Sequence, residues 1–466
     1  MPITSIKIQR AAKSMNSNQP SDQHLPSNPE NPNQAYKTNL KQLTAQKGRL
    51  SRQIGERKKQ LQPIDDLLVE MKSLSIAIKK IEAQLKSLKK ATTHAKEVTS
   101  FPGHITENPC RSNEHLSIPY QIREISSRSV NRHEEVSAWN QYAKAHPAAC
   151  IYHQIDFQDI IEKSFDHKTL YIAAFDPADE LVGILPLTHT KSRLFGSYMT
   201  SVPYFNYGGP LSNNKTIEQQ LLTYAEAYAK QNGATHVEIR ESQPRAGMPS
   251  KMDKMSTFLA LPTDSEQLWQ DIGTKVRAQV KKGMKNSLTF TTGKHELLDD
   301  FYHVFSTNMR DLGTPIYSKA FFNHILSSDL NATIVVQYYQ QKPVSCAFLM
   351  GYKDHLEIPW ASTLRRANTL DANMVMYWHI LKFACENGYR FFDFGRSSKD
   401  ASTLKFKRQW GAKPTQLYWH YILQDNQELP NLNPSNPKLQ FVIACWKRLP
   451  LIVANALGPL LSRSLP

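Results

Sequence analysis

The chain has 466 residues, enough for two or three domains, and its 40% hydrophobic content, with 19 Phe and 19 Tyr, can fill real cores. A formal charge of +16 points to a polyanionic partner, whether nucleic acid, a nucleotide-linked sugar or an anionic membrane surface. Five cysteines without a C-x-x-C pair argue against a disulfide framework or a thiolate metal site. With no signal-peptide run and no apolar stretch of ~18 residues, the expectation is a reduced, cytosolic protein.

Residues 1–37 are rich in Ser, Asn, Gln and Pro and too poor in apolar groups to offset ordering entropy, which predicts a disordered tail. From 38 to 92 the texture changes. Ile64, Leu67, Met71, Leu74, Ile78, Ile81, Leu85 and Leu88 alternate at spacings of three and four, a heptad seam, and Leu43, Leu50, Ile54 and Leu61 follow the same rhythm upstream. Pro63 separates the two runs, so the pattern predicts an antiparallel coiled-coil hairpin. Between Lys41 and Lys90 stand 13 Lys/Arg against 5 Asp/Glu, so half of the excess charge lies on this arm.

Residues 93–129 read as a linker punctuated by Pro102, Gly103, Pro109 and Pro119. Globular patterning begins near Val130. A helical stretch is followed by paired strands around an Asp-Pro turn ("TLYIAAFD", "ELVGILPLTHT"), the segment "SYMTSVPYFNYGGPLS", a helix from Thr216 to Asn232 and the strand "HVEIRES". A second helical start near Asp264 leads into "ATIVVQYY", "PVSCAFLMGY" and "HLEIPWAS", then a helix from Asn373 to Asn387 and the strand "YRFFDFG". The same order occurs twice, which predicts two α+β units, 130–263 and 264–428. An apolar segment, 429–466, closes the chain. It is broken by Lys447, Arg448, Pro450 and Pro459, and fits either an interfacial helix with Trp446 at headgroup level or a helix packed on the second unit.

Three segments bear on chemistry. In "GTKVRAQVKKGMKNS", Lys275, Arg277, Lys281, Lys282 and Lys285 fall along one helix, and no acidic residue occurs from Lys275 to Thr292. Spacings of four stack like charges, which favours a phosphate contact with Arg277 as the bidentate donor; a solvated face is the alternative. In "PYFNYGGP", Gly208 and Gly209 suit a tight turn, and Asn206 and Tyr207 could line a cleft. In "FDFGRSSKDASTLKFKRQWGA", a buried strand ends at Gly395 and Arg396, and a helix follows with Phe406 and Trp410 on its apolar face and Lys407 beside them. No Ser/His/Asp or Cys/His set stands out. His303, His324, His355 and His379 suit core or surface, and no metal-ligand spacing occurs.

Two resemblances extend this reading. "LTAQKGRLSRQIGERKKQ" with "IDDLLVEMKSLSIAIKKIEAQLKSL" resembles the tRNA-binding arm of seryl-tRNA synthetases, which implies backbone contacts to tRNA from Arg49, Arg52, Arg57, Lys58 and Lys59. "VPYFNYGGPL", "LWQDIGTKVRAQVKKGMKNSL", "FYHVFSTNMRDLGTPIYSKAFF" and "FFDFGRSSKDASTLKFKRQWGAKP" resemble the FemAB group of acyltransferases, in the branch associated with the XrtA/PEP-CTERM export and exopolysaccharide system. That resemblance implies two tandem GNAT-like domains behind the arm. It also implies transfer of an aminoacyl group from aminoacyl-tRNA, or of an acyl group from acyl-CoA, to an amine of a nucleotide- or lipid-linked cell-wall or exopolysaccharide precursor near the inner membrane, without a cofactor or metal; a non-catalytic tRNA-binding scaffold is the third reading. Lys407 then falls on the family's F-K-x-x-[FW]-G motif as the catalytic, electrostatic residue. Arg310, Tyr317 and Arg396 become substrate-binding residues, and Lys405 a tRNA contact. The Q/R-x-x-G-x-G/A loop of acetyl-CoA-dependent enzymes does not follow "LEIPWAS".

Overall fold

A computed structural model of the protein describes residues 32–60, 62–68, 70–71, 73–75, 77–78, 81, 120–192, 195–424, 427–430 and 437–465. These fall into two compact units divided near residue 97. The expected tail up to residue 31, the end of the arm and most of the expected linker lie outside the described residues.

In the first unit, α1 (Pro32–Lys59) opens on a proline, whose missing N–H is no loss in a first turn. The described residues of 65–68, 70–71, 73–75, 77–78 and 81 are helical too. Leu50 of α1 buries with Leu67 and Leu74, flanked by Leu43, Ile54 and Met71. Arg57 Nη1 donates to Asp66 Oδ2 at 2.9 Å and to the Pro63 carbonyl at 3.3 Å.

The second unit is built on two sheets, each of eight strands among the described residues. The first contains β1 (Gln121–Ile125), β2 (Lys168–Phe175), β3 (Leu181–Ser192), β4 (Gly196–Thr200), β5 (Leu211–Ser212), β6 (His236–Glu241) and β7 (Ser250–Lys251). The second contains β8 (Lys254–Ala260), β9 (Thr289–Gly293), β10 (Asn331–Tyr339), β11 (Lys342–Tyr352), β12 (His355–Thr363), β13 (Phe391–Asp393), β14 (Ser397–Ser398) and β15 (Lys413–Gln416). The eighth strand of the first sheet is β16 (Tyr418–Leu423), from the end of the second half. Helices pack on both: α2 (Arg132–Ala145), α3 (Asp156–Phe165) and α4 (Lys215–Gln231) in the first half, then α5 (Ser265–Asp271), α6 (Thr274–Met284), α7 (Leu298–Leu312), α8 (Lys319–Leu326), α9 (Ala372–Glu386) and α10 (Ser402–Gln409). The chain ends in α11 (Pro437–Trp446) and α12 (Leu451–Ser462).

Each sheet is antiparallel except for one parallel pair: β4 with β6 around the crossover helix α4, and β12 with β13 around α9. This repeated plan is the one read from the sequence, but two strands trade places. β8 precedes the boundary drawn at 263/264 yet pairs with β13, and β16 pairs with β6. In each sheet, a strand after the parallel pair is thus supplied by the other half. The expected linker also contains β1, which pairs with β2 and buries Ile125.

Patterning explains the layers. β11 is buried from Val344 to Gly351, as a strand covered on both faces must be. Its alternate side chains divide between two cores: Cys346, Phe348 and Met350 pack with α7 and α8, while Ala347 and Leu349 pack with α5, α6 and α9.

Candidate active site

β12 and β13 pair over three residues only, His355–Glu357 with Phe391–Asp393, and then part. Two local features separate them. β12 bulges against β11 between Glu357 and Trp360, and Pro359 in the bulge has no N–H for a partner strand. On the other side Gly395, at φ +70°, turns the chain away after β13. A cavity of about 420 Å³ opens at this fork. Its walls are aromatic: Tyr152, Tyr204 and Phe205 come from the first half, and Tyr317, Trp360, Tyr377 and Phe394 from the second. Tyr152 and Phe205 stack at 4.2 Å.

Lys407 reaches the cavity from α10. It is 7% exposed, and its Nζ donates to the Gly395 carbonyl at 2.7 Å and the Arg396 carbonyl at 2.9 Å. An ammonium has three donors, so one remains for a ligand. Burial lowers its pKa to about 8, against the opposing pull of Asp393 and Glu357. Trp410 on the same helix is core and Phe406 packs against Tyr377, which fixes where the lysine stands.

Beneath the fork lie two buried carboxyls that the sequence reading missed. Asp393 accepts from Tyr207 Oη at 2.6 Å, Ser256 Oγ at 2.8 Å and the Gly395 N–H at 2.7 Å. Glu357 accepts from Asn206 Nδ2 at 3.0 Å. Burial pushes both carboxyls above the carboxylate range, Glu357 further because Asp393 repels its charge and fewer donors hold it. Asp393, held by more donors, keeps its charge beside Lys407 more readily than Glu357, which holds its proton more tightly. The signal was present in the alternation "HLEIP" and "FFDFG": a carboxylate inside an apolar strand is an anomaly that asks for partners.

The remaining sequence-derived residues separate into two groups. Asn206, Tyr317, Arg396 and Lys407 line the same cavity. Tyr207 sits below it, holding Asp393. Arg277 is elsewhere: its Nη1 donates to the carbonyls of Trp269 (3.1 Å), Gln270 (2.6 Å) and Ile272 (2.9 Å), so it caps the end of α5 away from the cavity. Lys282 pairs with Asp371, Lys281 lies 6.0 Å above the Trp269 ring, and Lys275 is exposed; none of these lines the cavity. Arg310 is also outside it, with Nε on Asp311 and Nη1 on the Leu449 carbonyl, tying α7 to the turn before α12. Lys405 is exposed on α10. In the first unit Arg49 and Arg52 are exposed, Arg57 is paired with Asp66, and the side chains of Lys58 and Lys59 lie outside the described residues.

The corresponding fork in the first sheet is filled. Beyond the β4–β6 pair, Arg240 is 1% exposed, and its guanidinium donates to Glu238 and to the Val202 and Phe205 carbonyls. A larger cleft of about 880 Å³ lies beside α4, but its charged groups satisfy one another, Arg245 with Glu218 and Glu241. Cys150 Sγ and His153 Nδ1 are 3.2 Å apart, yet burial raises the thiol and lowers the imidazole to about 4, leaving both neutral. His153 bridges instead to the Gly209 carbonyl at 2.9 Å, and Gly209 gives Glu241 its space, so the double glycine serves packing. Among the described residues no group of His, Cys, Asp and Glu is arranged to hold a metal ion.

Residues 274–408 match the family model described as an acetyltransferase (GNAT) domain, a span that includes the fork, α9 and Lys407. Among solved structures the chain is similar to FemX (14% identity, TM-score 0.50), over 65% of this chain and 97% of that one. It is also similar to L-PGS from Bacillus licheniformis (12%, TM-score 0.45, 70% and 98%) and a tandem GNAT protein from the clavulanic acid biosynthesis pathway (10%, TM-score 0.42, 67% and 100%). No curated protein matches the chain. The likeness to FemX extends over nearly the whole of that protein and is a likeness of fold.

Proposed function

We propose that the chain is a FemAB-like N-acyltransferase that moves an aminoacyl group from aminoacyl-tRNA to an amine of a nucleotide- or lipid-linked cell-wall or exopolysaccharide precursor. The observation that carries this reading is Lys407, buried and carbonyl-anchored at the open fork, with one ammonium donor left for the cavity. An ester donor is already activated, so the protein has to orient it, exclude water and stabilise charge. The acceptor nitrogen attacks the ester carbonyl, the carbonyl oxygen gains negative charge beside Lys407, and the ester C–O bond breaks. The amine's proton leaves with the departing ribose hydroxyl. No side-chain nucleophile is called for.

The donor assignment rests on charge and on the strand edge. The arm carries half of the chain's net positive charge, Arg396 adds a cation at the cavity, and Pro359 removes an N–H from the edge along which an extended thioester arm would hydrogen-bond. The match of residues 274–408 to an acetyltransferase domain favours a second reading, in which acyl-CoA is the donor.

The deciding experiment sequences RNA that co-purifies with the protein and assays transfer from aminoacyl-tRNA and from acyl-CoA in parallel. The first reading expects bound tRNA, affinity that falls steeply with salt, and transfer lost on deleting residues 38–92. Acylation from coenzyme A thioesters by a protein with no RNA affinity overturns it in favour of the second.

A further inference from the structure

The C-terminal helices carry their large apolar residues on the wrong side for water. In α12 the buried positions are Ala454, Gly458 and Ser462, one small residue per turn, and Gly458 lies against Ile316. The outward positions are Ile452, Val453, Leu457, Leu460 and Leu461, with Ile452 84% exposed. α11 adds Phe441, 71% exposed, and Val442. Of the thirteen large apolar side chains exposed among the described residues, these two helices hold seven, so the patch is concentrated and not scattered.

The helices are held, not loose. Ser462 Oγ donates to the Ile316 carbonyl at 2.9 Å, Tyr204 Oη to the Arg463 carbonyl at 3.0 Å, and Arg310 Nη1 to the Leu449 carbonyl at 2.8 Å. Trp446, expected at headgroup level, is buried instead, and the cations Lys447 and Arg448 stand exposed in the turn between the helices. Residues 437–466 contain four Lys or Arg and no Asp or Glu. Neither helix is long and apolar enough to cross a membrane.

We propose that α11 and α12 dock the protein on the surface of an anionic phospholipid bilayer, with the outward face of α12 among acyl chains and Lys447 and Arg448 at the phosphates. Charge selects this occupant: a second copy of the same face would bring cations against cations, whereas phosphodiester headgroups complement them. Ser462 and Leu465 also line the 420 Å³ cavity, so docking sets the cavity wall at the lipid boundary. An acceptor carried on a lipid anchor would meet the site there. That last step rests on the acyl-transfer reading; the docking does not.

The test floats the full-length protein with phosphatidylcholine vesicles, with and without phosphatidylglycerol. The wild type should float with the phosphatidylglycerol vesicles. Ile452→Glu and Leu460→Glu should each weaken partitioning by about tenfold or more. Both side chains are exposed, so the circular dichroism melt should not move. Lys447→Glu with Arg448→Glu should weaken binding to anionic vesicles. Absence of flotation overturns the proposal. So does flotation unchanged by the two Glu substitutions, which would assign it to the basic remainder of the chain. A lipid-free dimer that Ile452→Glu dissociates gives the face to a second copy and also overturns it.

Discussion

Glu357 and Asp393 are opposite one another in the last rung of the parallel β12–β13 pair, one step before the strands part. Register in a parallel ladder places both side chains on one face. Two carboxyls buried this way cannot both ionise cheaply, and Asp393, with the Tyr207 and Ser256 hydroxyls and the Gly395 N–H donating to it, holds charge more readily than Glu357. Lys407 above them adds a cation that favours the charged form of either carboxyl.

Replacing Lys407 with Met should lower the rate of transfer by about 10²–10³ while leaving donor binding within a few fold. Steady-state kinetics at saturating donor checks this. Retention of wild-type kcat would remove the lysine from the chemistry.

The same residue sets a pH limb. Burial lowers its pKa to about 8, so the charge proposed to stabilise the developing oxyanion is lost as pH rises through that value, and kcat should fall there. The Lys407→Met variant should lack this limb in its kcat–pH profile, which a merely structural lysine would not explain.

Glu357 predicts a stability profile of opposite origin. The folded state keeps this proton above the pH at which an unfolded glutamate, near 4.3, releases it. Between those values the native state binds more protons, so stability falls as pH rises. Glu357→Gln keeps an acceptor for Asn206 and removes the titration. Calorimetry should find the variant more stable than wild type at neutral pH, with the gap closing toward about pH 4.

Asp393→Ala should destabilise the protein by about 3–5 kcal/mol, because it strands the Tyr207 and Ser256 hydroxyls and the Gly395 N–H in a dry site. Urea denaturation measures this directly.

Arg277→Ala should cost about 1–3 kcal/mol of stability, through the three carbonyls it leaves at the end of α5, and should not change the KM of either substrate. A KM effect without a stability effect would restore the phosphate role expected from the charge run.

Much of the second unit is legible in the sequence. Apolar, β-branched and aromatic runs mark β2, β3 and β10 to β12, and helical spacing marks α2 and places α4 and α9 within a residue of their ends. "FKRQWG" points to Lys407 because apolar neighbours four apart fix a charged residue between them. Strand exchange is not legible, because β8 and β16 have ordinary strand texture and nothing local says which sheet takes them. The cationic face of α6 misleads for a similar reason: its counter-groups, the end of α5 and Asp371, are supplied by other elements. Glu357 and Asp393 belong to strands read correctly, but their pairing depends on a register that spacing does not encode.

The exchange of β8 and β16 also bears on the order in which the molecule can be made. The first sheet receives β16 only after residue 423 has been synthesised, and with it Trp419, which lies 4.2 Å from the buried Arg240 guanidinium. During translation that sheet must wait, one edge open, until the second half has been made, and the second half cannot complete its own sheet without β8 from upstream. Cutting the gene between the halves would therefore yield two incomplete products that become functional only if expressed together.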